Sequence, residues 1–398
     1  MHIPFCASKC AYCDFLSFAD TPMEIQNAYV NALIYEIKTH AFAYSEKYIK
    51  SNNVGYYDEY DVDSIFIGGG TPSILDPNQI TRVLGAIRQN FNVTFDCEIT
   101  IEANPNTVRL DKLKNYIEAG INRISLGAQS FDDNILKILG RAHTVNDIKE
   151  SFFLARKADF ENINIDLMFA TFGQDLNIWK DTLEKAIWLS PEHMSFYSLQ
   201  IEEGTNFYHM SKAGQYENAS GQFTQLDKIN QLEKLDREMY HTALKQFEKA
   251  GYVHYEISNV AKSGYECRHN IKYWTMSDYL GVGISAHSYI SGKRFGNITD
   301  INQYIENSGH CEFDFVHKND LADDISEYVF TGLRLINGIA LDDFELRFGI
   351  SLQDAYEKEW QQIEKYIKDG FLILSDGRLN LSKTGIDISN KIMSEFIL

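Results

Sequence analysis

The 398-residue sequence contains no apolar run long enough to cross a membrane as a helix, and its start lacks the basic and apolar regions of a signal peptide. It also lacks any run of five or more basic residues, and its 37 Lys and Arg face 56 Asp and Glu, a net charge of −19. Nucleic acid and anionic membranes are therefore poor default partners. These absences predict a cytoplasmic protein.

Cysteine is also scarce, with six residues in all, and the sequence has no internal repeat or low-complexity tract. Three of the six lie in the opening stretch MHIPFCASKCAYCDF, at Cys6, Cys10 and Cys13. In a reducing cytosol, clustered cysteines more often serve metal binding or catalysis than disulfides. The remaining three are scattered, and we expect them to be buried or incidental thiols: Cys97, Cys267 and Cys311.

Short β-prone runs alternate with amphipathic helical patterns through the first 200 residues. Strands are predicted over 62–68, 97–104, 122–130, 162–170 and 193–201, and helices over 76–90, 110–119, 132–139, 145–158 and 176–189. This alternation is typical of repeated βαβ units, and it predicts an α/β fold, either a parallel barrel or an open wound sheet. In both, the carboxyl ends of the strands carry the chemistry. The residues expected there are Gly68, Gly69, Gly70, Glu102, Asn104, Gln129, Asp166, Tyr197 and Gln200.

The second half of the sequence changes character. A polar connection or lid is predicted over 204–221, a long helix over 223–250 and a strand over 252–258. The pattern of the last eighty residues predicts helices followed by a hairpin with an Asp-Gly turn. This arrangement resembles a winged-helix appendage. Its acidity argues against DNA binding. The predicted domains are a barrel core over 1–220, an extension of the barrel over 221–315 and a mainly helical C-terminal domain over 316–398.

The C-x-x-x-C-x-x-C spacing supplies three thiolates, enough for three irons of a four-iron cluster. The fourth iron is then open to a small chelating molecule. A structural zinc site would need four ligands closed around the metal, and His2 is the nearest candidate for the fourth. The spacing favours the iron–sulfur cluster over zinc, with unrelated thiols as a third alternative.

The run IFIGGGTPS at 65–73 follows a predicted strand and precedes a predicted helix. Its glycines tolerate positive φ, and we expect their backbone N–H groups to be free for a ligand. The run matches neither the dinucleotide-binding fingerprint nor a phosphate-binding loop, since no Gly-Lys-Ser/Thr follows. Alone, it predicts a tight turn as readily as a binding site.

Taken together, these stretches resemble the radical S-adenosylmethionine (SAM) superfamily. Within it, the sequence resembles the oxygen-independent coproporphyrinogen III dehydrogenases and the related HemW-type haem chaperones. The stretches that carry the resemblance occur in the family's order: HIPFCASKCAYCDF, GGGTPS, EANP, SLGAQSFDDNILKILGRAH, NIDLMFA, HNIKYW and YLGVGISAHSY. The resemblance implies a partial (β/α) barrel.

It also implies a cofactor site. Cys6, Cys10 and Cys13 would hold a [4Fe–4S] cluster whose open iron is chelated by SAM, which an electron from the cluster can cleave to a 5′-deoxyadenosyl radical. The residues implied around SAM are Gly69, Gly70, Thr71, Glu102, Gln129, Arg141 and Asp166. Each charged residue also has an alternative role when it is judged alone. Arg141 could be a cation on the surface of a helix, Asp166 could cap the end of a strand, and Glu102 could belong to an ion pair.

Two features separate the branches of the family. The dehydrogenase branch has a further cysteine two places after the third, where this sequence has Phe15. HNIKYW at 269–274 matches the H-N-x-x-Y-W stretch associated with haem binding in HemW-like proteins. The match implies that His269 ligates haem iron beside Tyr273 and Trp274. From the residues alone, a structural histidine with core aromatics is the alternative, and Cys267 and His287 are rival iron ligands.

The resemblance implies a haem chaperone that binds haem and delivers it to apo-haemoproteins, with a homodimer as one candidate assembly. The alternatives are oxidative decarboxylation of coproporphyrinogen III and a zinc-stabilised interaction protein. Relatives carry a tyrosine two residues before the histidine of H-I-P-F-C, whereas here only Met1 precedes His2. We therefore expect either a start assigned too late or a member without that contact.

Overall fold

The structure, a computed structural model, describes residues 1–43, 61–212, 225–310 and 312–398. Part of the predicted lid, the start of the predicted helix at 223–250 and Cys311 lie outside the described residues. The chain divides into two compact units: Met1–Ala250 with Gly281–His287 and Gly296–Phe315, and Gly251–Leu280 with Ser288–Phe295 and Val316–Leu398. The domain limits expected from the sequence stay predictions.

A parallel sheet forms the centre of the first unit. The strands up to residue 200 are β1 (His2–Ile3), β2 (Phe5–Cys6), β3 (Phe18–Ala19), β4 (Asp61–Gly69), β5 (Asn92–Ala103), β6 (Arg123–Gln129), β7 (Asn162–Phe169) and β8 (His193–Ser198). β1, β4, β5, β6, β7 and β8 are neighbours in that order and run parallel, while β2 and β3 pair with each other. The sheet confirms the predicted α/β class.

Helices precede, connect and follow the long strands β4 to β8. They are α1 (Met23–Ala43), α2 (Pro77–Asn90), α3 (Leu110–Glu118), α4 (Asp133–Ile138), α5 (Val145–Lys157), α6 (Leu176–Leu189), α7 (Asn206–Lys212) and α8 (Gln225–Lys249). Local sequence sets several of the starts: Asp76 caps α2 and Thr144 caps α5. In both, the side chain of the third helical residue accepts a hydrogen bond from the N–H of the capping residue. Together with the strands they form consecutive βαβ units.

The centre of the sheet is fully buried, and its end is irregular where the predicted site lies. Every residue of β6 is buried, as expected for a strand covered on both faces. The register of β6 against β7 shifts between Leu126 and Gln129, and Gln129 has a φ of +67°. This irregularity re-aims the last side chain of β6 at the carboxyl end of the sheet.

The chain from Gly251 onward holds shorter elements. The strands are β9 (Val253–Glu256), β10 (Asn259–Ala261), β11 (His287–Ile290), β12 (Lys293–Asn297), β13 (Phe313–Lys318), β14 (Ile339–Ala340), β15 (Leu372–Ser375) and β16 (Arg378–Leu381). The helices are α9 (Arg268–Trp274), α10 (Ile301–Glu306), α11 (Leu321–Gly332), α12 (Leu341–Phe348), α13 (Leu352–Ala355), α14 (Trp360–Lys368), α15 (Lys383–Ile386) and α16 (Ser389–Met393).

The last of these elements match the predicted appendage. β14, β16 and β15 form a small antiparallel sheet beside α12 to α16. Asp376 and Gly377, between β15 and β16, have φ values of +51° and +70°, as a tight hairpin turn with two left-handed residues requires. Helices with a small hairpin confirm the winged-helix-like expectation. None of the helices in the described ranges has the length and apolarity that spanning a membrane takes.

Candidate functional site

The three clustered cysteines lie on one loop at the carboxyl end of the parallel sheet. Cys6 ends β2, and the Cys13 N–H donates to the Cys10 carbonyl at 3.3 Å. The end of the loop is fixed by His2, whose Nε2 lies 3.0 Å from the Leu16 carbonyl oxygen. All three thiols are free and partly buried. The sequence cluster is thus also a cluster in space.

The electrostatics of this loop suit a bound cation. Burial raises the pKa of the Cys13 thiol, and the neighbouring Cys10 and Cys6 raise it further. Thiolates crowded in this way repel one another unless a metal neutralises them, which also releases their protons. In the described parts of the chain no three His, Cys, Asp or Glu side chains gather around one point as a single metal ion requires. In a four-iron cluster each thiolate binds a different iron, and the donor set here fits that group.

The glycine run at the end of β4 packs directly against the cysteine loop. Gly69 has a φ of +115°, and a Cβ on it would lie 2.0 Å from the His2 ring. A Cβ on Gly70 would lie 2.7 Å from the Phe5 carbonyl oxygen and 3.0 Å from Cys6 Sγ. Both positions therefore require glycine.

The backbone N–H groups of this run are not free. The Gly69 N–H donates to Glu102 Oε2 at 3.2 Å, the Gly70 N–H to the Ile3 carbonyl at 2.9 Å and the Thr71 N–H to the Phe5 carbonyl at 2.7 Å. The expectation that the glycine N–H groups are free for a ligand is wrong for Gly69 and Gly70, and the Thr71 N–H is bonded as well. The hydrogen bonds of these three N–H groups attach the glycine run to β1, β2 and β5.

Two partly buried carboxyl groups, Glu102 and Asp166, lie towards the carboxyl ends of β5 and β7. Burial raises the pKa of Glu102 to about 7, and the charge of Asp166 adds to this effect. Burial also raises the pKa of Asp166, although its oxygens accept hydrogen bonds from Ser125 Oγ at 3.0 Å and Asn164 Nδ2 at 2.7 Å. A site with two such groups favours a ligand that carries positive charge. SAM, with an ammonium group and a sulfonium, has that chemistry.

The structure also brings Gln129 and Arg141 to this edge of the sheet. The Tyr197 hydroxyl donates to Gln129 Oε1 at 3.1 Å. Arg141 lies outside any helix, so its alternative as a surface helix cation is wrong. Its Nη2 donates to the Gly127 carbonyl at 2.8 Å and to Asn104 Oδ1, and its Nη1 donates to Cys10 Sγ at 3.3 Å and to the Tyr12 hydroxyl at 3.5 Å. Its four terminal N–H donors are thus committed to protein acceptors.

The sequence did not identify three further residues of the site. Tyr12 accepts from Arg141, while Ser125 and Asn164 hold Asp166. Two of the three have a signal in the sequence. Tyr12 lies between two of the clustered cysteines, and Asn164 lies two positions before Asp166, on the same face of β7.

The predicted haem-binding stretch forms α9 in the second unit. All of its residues are partly buried, and the alternative of a structural histidine with Tyr273 and Trp274 as core residues stays open. His269 Nε2 lies 3.0 Å from the Tyr273 hydroxyl, and the two rings are nearly perpendicular. The Arg334 guanidinium lies 4.3 Å from the Trp274 ring, whose Nε1 is buried without a hydrogen-bond partner among the described residues. α9 presents an imidazole and two aromatic rings together.

The other cysteines and the rival ligands differ in accessibility. Cys97 and Cys267 are buried, as expected for incidental thiols. Because Cys267 is 0% exposed, it is a poor rival to His269 for an external ligand. His287 is exposed, and its ring lies 5.4 Å from that of Phe315. Phe15, at the position that separates the two branches, is also exposed.

Family models match both ends of the chain. A model described as the radical SAM superfamily matches residues 1–186, and one described as the HemN C-terminal domain matches residues 319–388. Among solved structures, coproporphyrinogen III oxidase (HemN) from Escherichia coli, a radical SAM enzyme, is similar over 100% of this chain and 88% of that chain. The TM-score is 0.80 at 21% sequence identity. This similarity confirms the predicted fold, a partial barrel with a C-terminal appendage.

Curated relatives match along the full length. The chain is 32% identical to heme chaperone HemW of Bacillus subtilis (strain 168), over 100% of this chain and 98% of the relative. It is also 32% identical to heme chaperone HemW of Lactococcus lactis, over 100% of this chain and 96% of the relative. For the Escherichia coli (strain K12) protein of the same name, the identity is 35% over 73% of this chain and 69% of the relative. The chain therefore belongs to the radical SAM superfamily and, within it, to the HemW family.

Proposed function

We propose that this protein is a haem chaperone that binds haem, carries a SAM-ligated [4Fe–4S] cluster and delivers haem to apo-haemoproteins. The observation that carries the proposal is the full-length similarity to proteins named heme chaperone HemW. We also propose a cytoplasmic location, and the net charge of −19 argues against nucleic acid and anionic membranes as partners.

In this proposal Cys6, Cys10 and Cys13 each bind one iron of the cluster. The geometry that supports it is one loop with three free thiols, packed against glycines where any side chain would collide. SAM would chelate the open iron through its amino and carboxylate groups, and reductive cleavage would supply a 5′-deoxyadenosyl radical. The residues proposed around SAM are Gly69, Gly70, Thr71, Glu102, Gln129, Arg141 and Asp166. Of the five guanidinium donors of Arg141, only Nε–H has no hydrogen-bond partner among the described residues, which limits how Arg141 can contact a carboxylate.

Haem would bind at α9, with His269 as the axial ligand and Tyr273 and Trp274 against the porphyrin. Support comes from the partial exposure of all three side chains. Because the Tyr273 hydroxyl lies 3.0 Å from His269 Nε2, that hydrogen bond has to break before Nε2 can bind iron. Once haem has left, the hydrogen bond between His269 and Tyr273 would form again.

An anaerobic haem titration of reconstituted protein tests the proposal. We expect about four irons per chain, as one cluster requires, and a saturable Soret change at about one haem per chain. His269→Ala should weaken haem binding by at least about tenfold, the loss expected when an iron ligand is removed. His317→Ala, which changes an exposed histidine elsewhere in the second unit, serves as the control. Unchanged binding in His269→Ala, with a loss in His287→Ala, would transfer the ligand role to His287.

The same assay separates the chaperone from the enzyme alternative, which the fold of the oxidase HemN favours. With SAM and a reductant present, haem transfer to an apo-haemoprotein without porphyrinogen turnover supports the chaperone. Decarboxylation of coproporphyrinogen III would overturn it. Iron and sulfide in the reconstituted protein would exclude the zinc alternative, and light scattering of the full chain would decide whether the candidate homodimer forms.

A further inference from the structure

Thr71 is positioned to donate a hydrogen bond to one of the clustered thiols. Its Oγ1 lies 3.6 Å from Cys6 Sγ and accepts a hydrogen bond from Asn104 Nδ2 at 2.9 Å. Because Asn104 supplies the proton in that bond, the hydroxyl proton of Thr71 remains available for the sulfur. Thr71 is buried, and its backbone N–H is fixed by the Phe5 carbonyl, so the hydroxyl has little freedom to turn elsewhere.

Arg141 makes the corresponding contact with a second thiol. Its Nη1 donates to Cys10 Sγ at 3.3 Å, and its Nη2 donates to the Gly127 carbonyl and to Asn104 Oδ1. The side-chain amide of Asn104 therefore joins both donors, since its nitrogen contacts Thr71 and its oxygen contacts Arg141. The hydrogen bonds form one continuous path from Cys6 through Thr71, Asn104 and Arg141 to Cys10.

We infer that Asn104 is a positioning residue that holds Thr71 and Arg141 as hydrogen-bond donors to two of the three cluster thiolates, and that this path sets the reduction potential of the cluster. The inference rests on the proposed cluster. Reduction adds negative charge to a cluster and its sulfurs, so donors and a guanidinium cation at the sulfurs stabilise the reduced state. The path thereby makes the cluster easier to reduce.

Matched variants of the full chain test each arm of the path. Thr71→Val removes the hydroxyl at nearly constant shape, and Thr71→Ser retains it. Arg141→Met removes the donors to Cys10, and Asn104→Leu removes the amide that joins the two arms. Thr182→Val is the control, because this buried threonine hydroxyl accepts from the Phe131 N–H and forms no hydrogen bond with a cysteine in the described parts of the chain.

The measurement is an EPR-monitored redox titration of anaerobically reconstituted protein without SAM, so that changes in SAM affinity do not enter. Thr71→Val and Arg141→Met should each shift the midpoint potential to more negative values. Asn104→Leu should shift it at least as far as either, whereas Thr71→Ser and Thr182→Val should stay near wild type. If Thr71→Val holds no cluster, Arg141→Met and Asn104→Leu carry the test, and a wild-type midpoint potential in both would overturn the inference.

Two results overturn the inference while leaving the cluster in place. One is a wild-type midpoint potential in Thr71→Val, Arg141→Met and Asn104→Leu. The other is an equal shift in Thr182→Val, which would assign the effect to general loosening of the fold. Wild-type protein without iron and sulfide would overturn the proposed cluster, and the inference with it, so the two failures are distinguishable.

Discussion

At the level of single residues, His269 and Tyr273 are joined by a hydrogen bond of 3.0 Å within one helix. Tyr273→Phe removes the hydroxyl and keeps the ring, so haem iron would no longer compete with the Tyr273 hydroxyl for His269 Nε2. A typical net hydrogen bond contributes about 0.5–1.5 kcal/mol, so we expect haem affinity to rise by up to about tenfold. Anaerobic Soret titrations of the variant and wild type measure the change.

Tyr273→Leu is the companion variant, because it removes both the hydroxyl and the aromatic surface. We expect it to bind haem more weakly than Tyr273→Phe. Should Tyr273→Phe itself bind haem more weakly than wild type, the hydroxyl assists ligation and does not compete with it.

Glu102 gives the site a pH dependence. Its pKa of about 7, raised by burial above the ordinary 4.5, means that the folded protein favours the neutral carboxyl. The stability that this preference contributes is complete below about pH 4.5 and is lost as pH rises through about 7. Glu102→Gln cannot ionise, so its stability advantage over wild type should grow by about 1 kcal/mol between pH 6 and pH 8. Urea denaturation of the cluster-free proteins at both pH values measures it, and a constant difference would show that Glu102 titrates normally.

At the level of elements, two glycines give a matched comparison. A Cβ on Gly69, at the end of β4, would lie 2.0 Å from the His2 ring, whereas one on Gly85, inside α2, meets nothing within 4 Å. Gly69→Ala should lower the free energy of unfolding by at least about 2 kcal/mol, because alanine rarely adopts a φ of +115° and its Cβ would collide with the His2 ring. Gly85→Ala should raise it by about 0.5–1 kcal/mol. Chemical denaturation measures both, and a neutral Gly69→Ala would mean that the end of β4 relaxes away from His2.

Local signals account for the elements that the sequence predicts well. The helix expected over 176–189 is α6 (Leu176–Leu189), and the one expected over 76–90 is α2 (Pro77–Asn90). In both, an aspartate caps the first turn, a signal that is complete within a few residues. The alternation of these helices with apolar runs was enough to predict the parallel sheet.

Elements that depend on distant partners were not predicted. Glu36 lies within α1 and is buried, which no local pattern explains. Its carboxylate accepts hydrogen bonds from the Gly283 N–H, Asn297 Nδ2 and the Tyr304 hydroxyl, all more than 240 positions away. In the candidate site, likewise, motifs identified most of the residues but not their hydrogen bonds, and they missed Tyr12, Ser125 and Asn164. The donors of Arg141 and of the glycine run are taken by groups that only folding brings near.

At the level of the whole molecule, cofactor binding should be visible as a gain in stability. A ligand that binds only the folded state at 100 times its dissociation constant stabilises it by about 2.7 kcal/mol. If SAM chelates the open iron, it should raise the unfolding midpoint of cluster-loaded protein by a few degrees and leave cluster-free protein nearly unchanged. Adenosine, which lacks the chelating amino and carboxylate groups, should have little effect on either form.

Differential scanning fluorimetry under anaerobic conditions makes this comparison, with a Cys6→Ser, Cys10→Ser, Cys13→Ser variant as the permanently cluster-free form. An equal rise with SAM in that variant would show that the strand-end residues bind SAM without the cluster. Glu102 and Asp166 would then be candidate partners, because both are partly buried carboxyl groups towards the carboxyl ends of neighbouring strands and match a cationic ligand. A rise confined to the cluster-loaded protein would instead make the open iron the main contributor to SAM affinity.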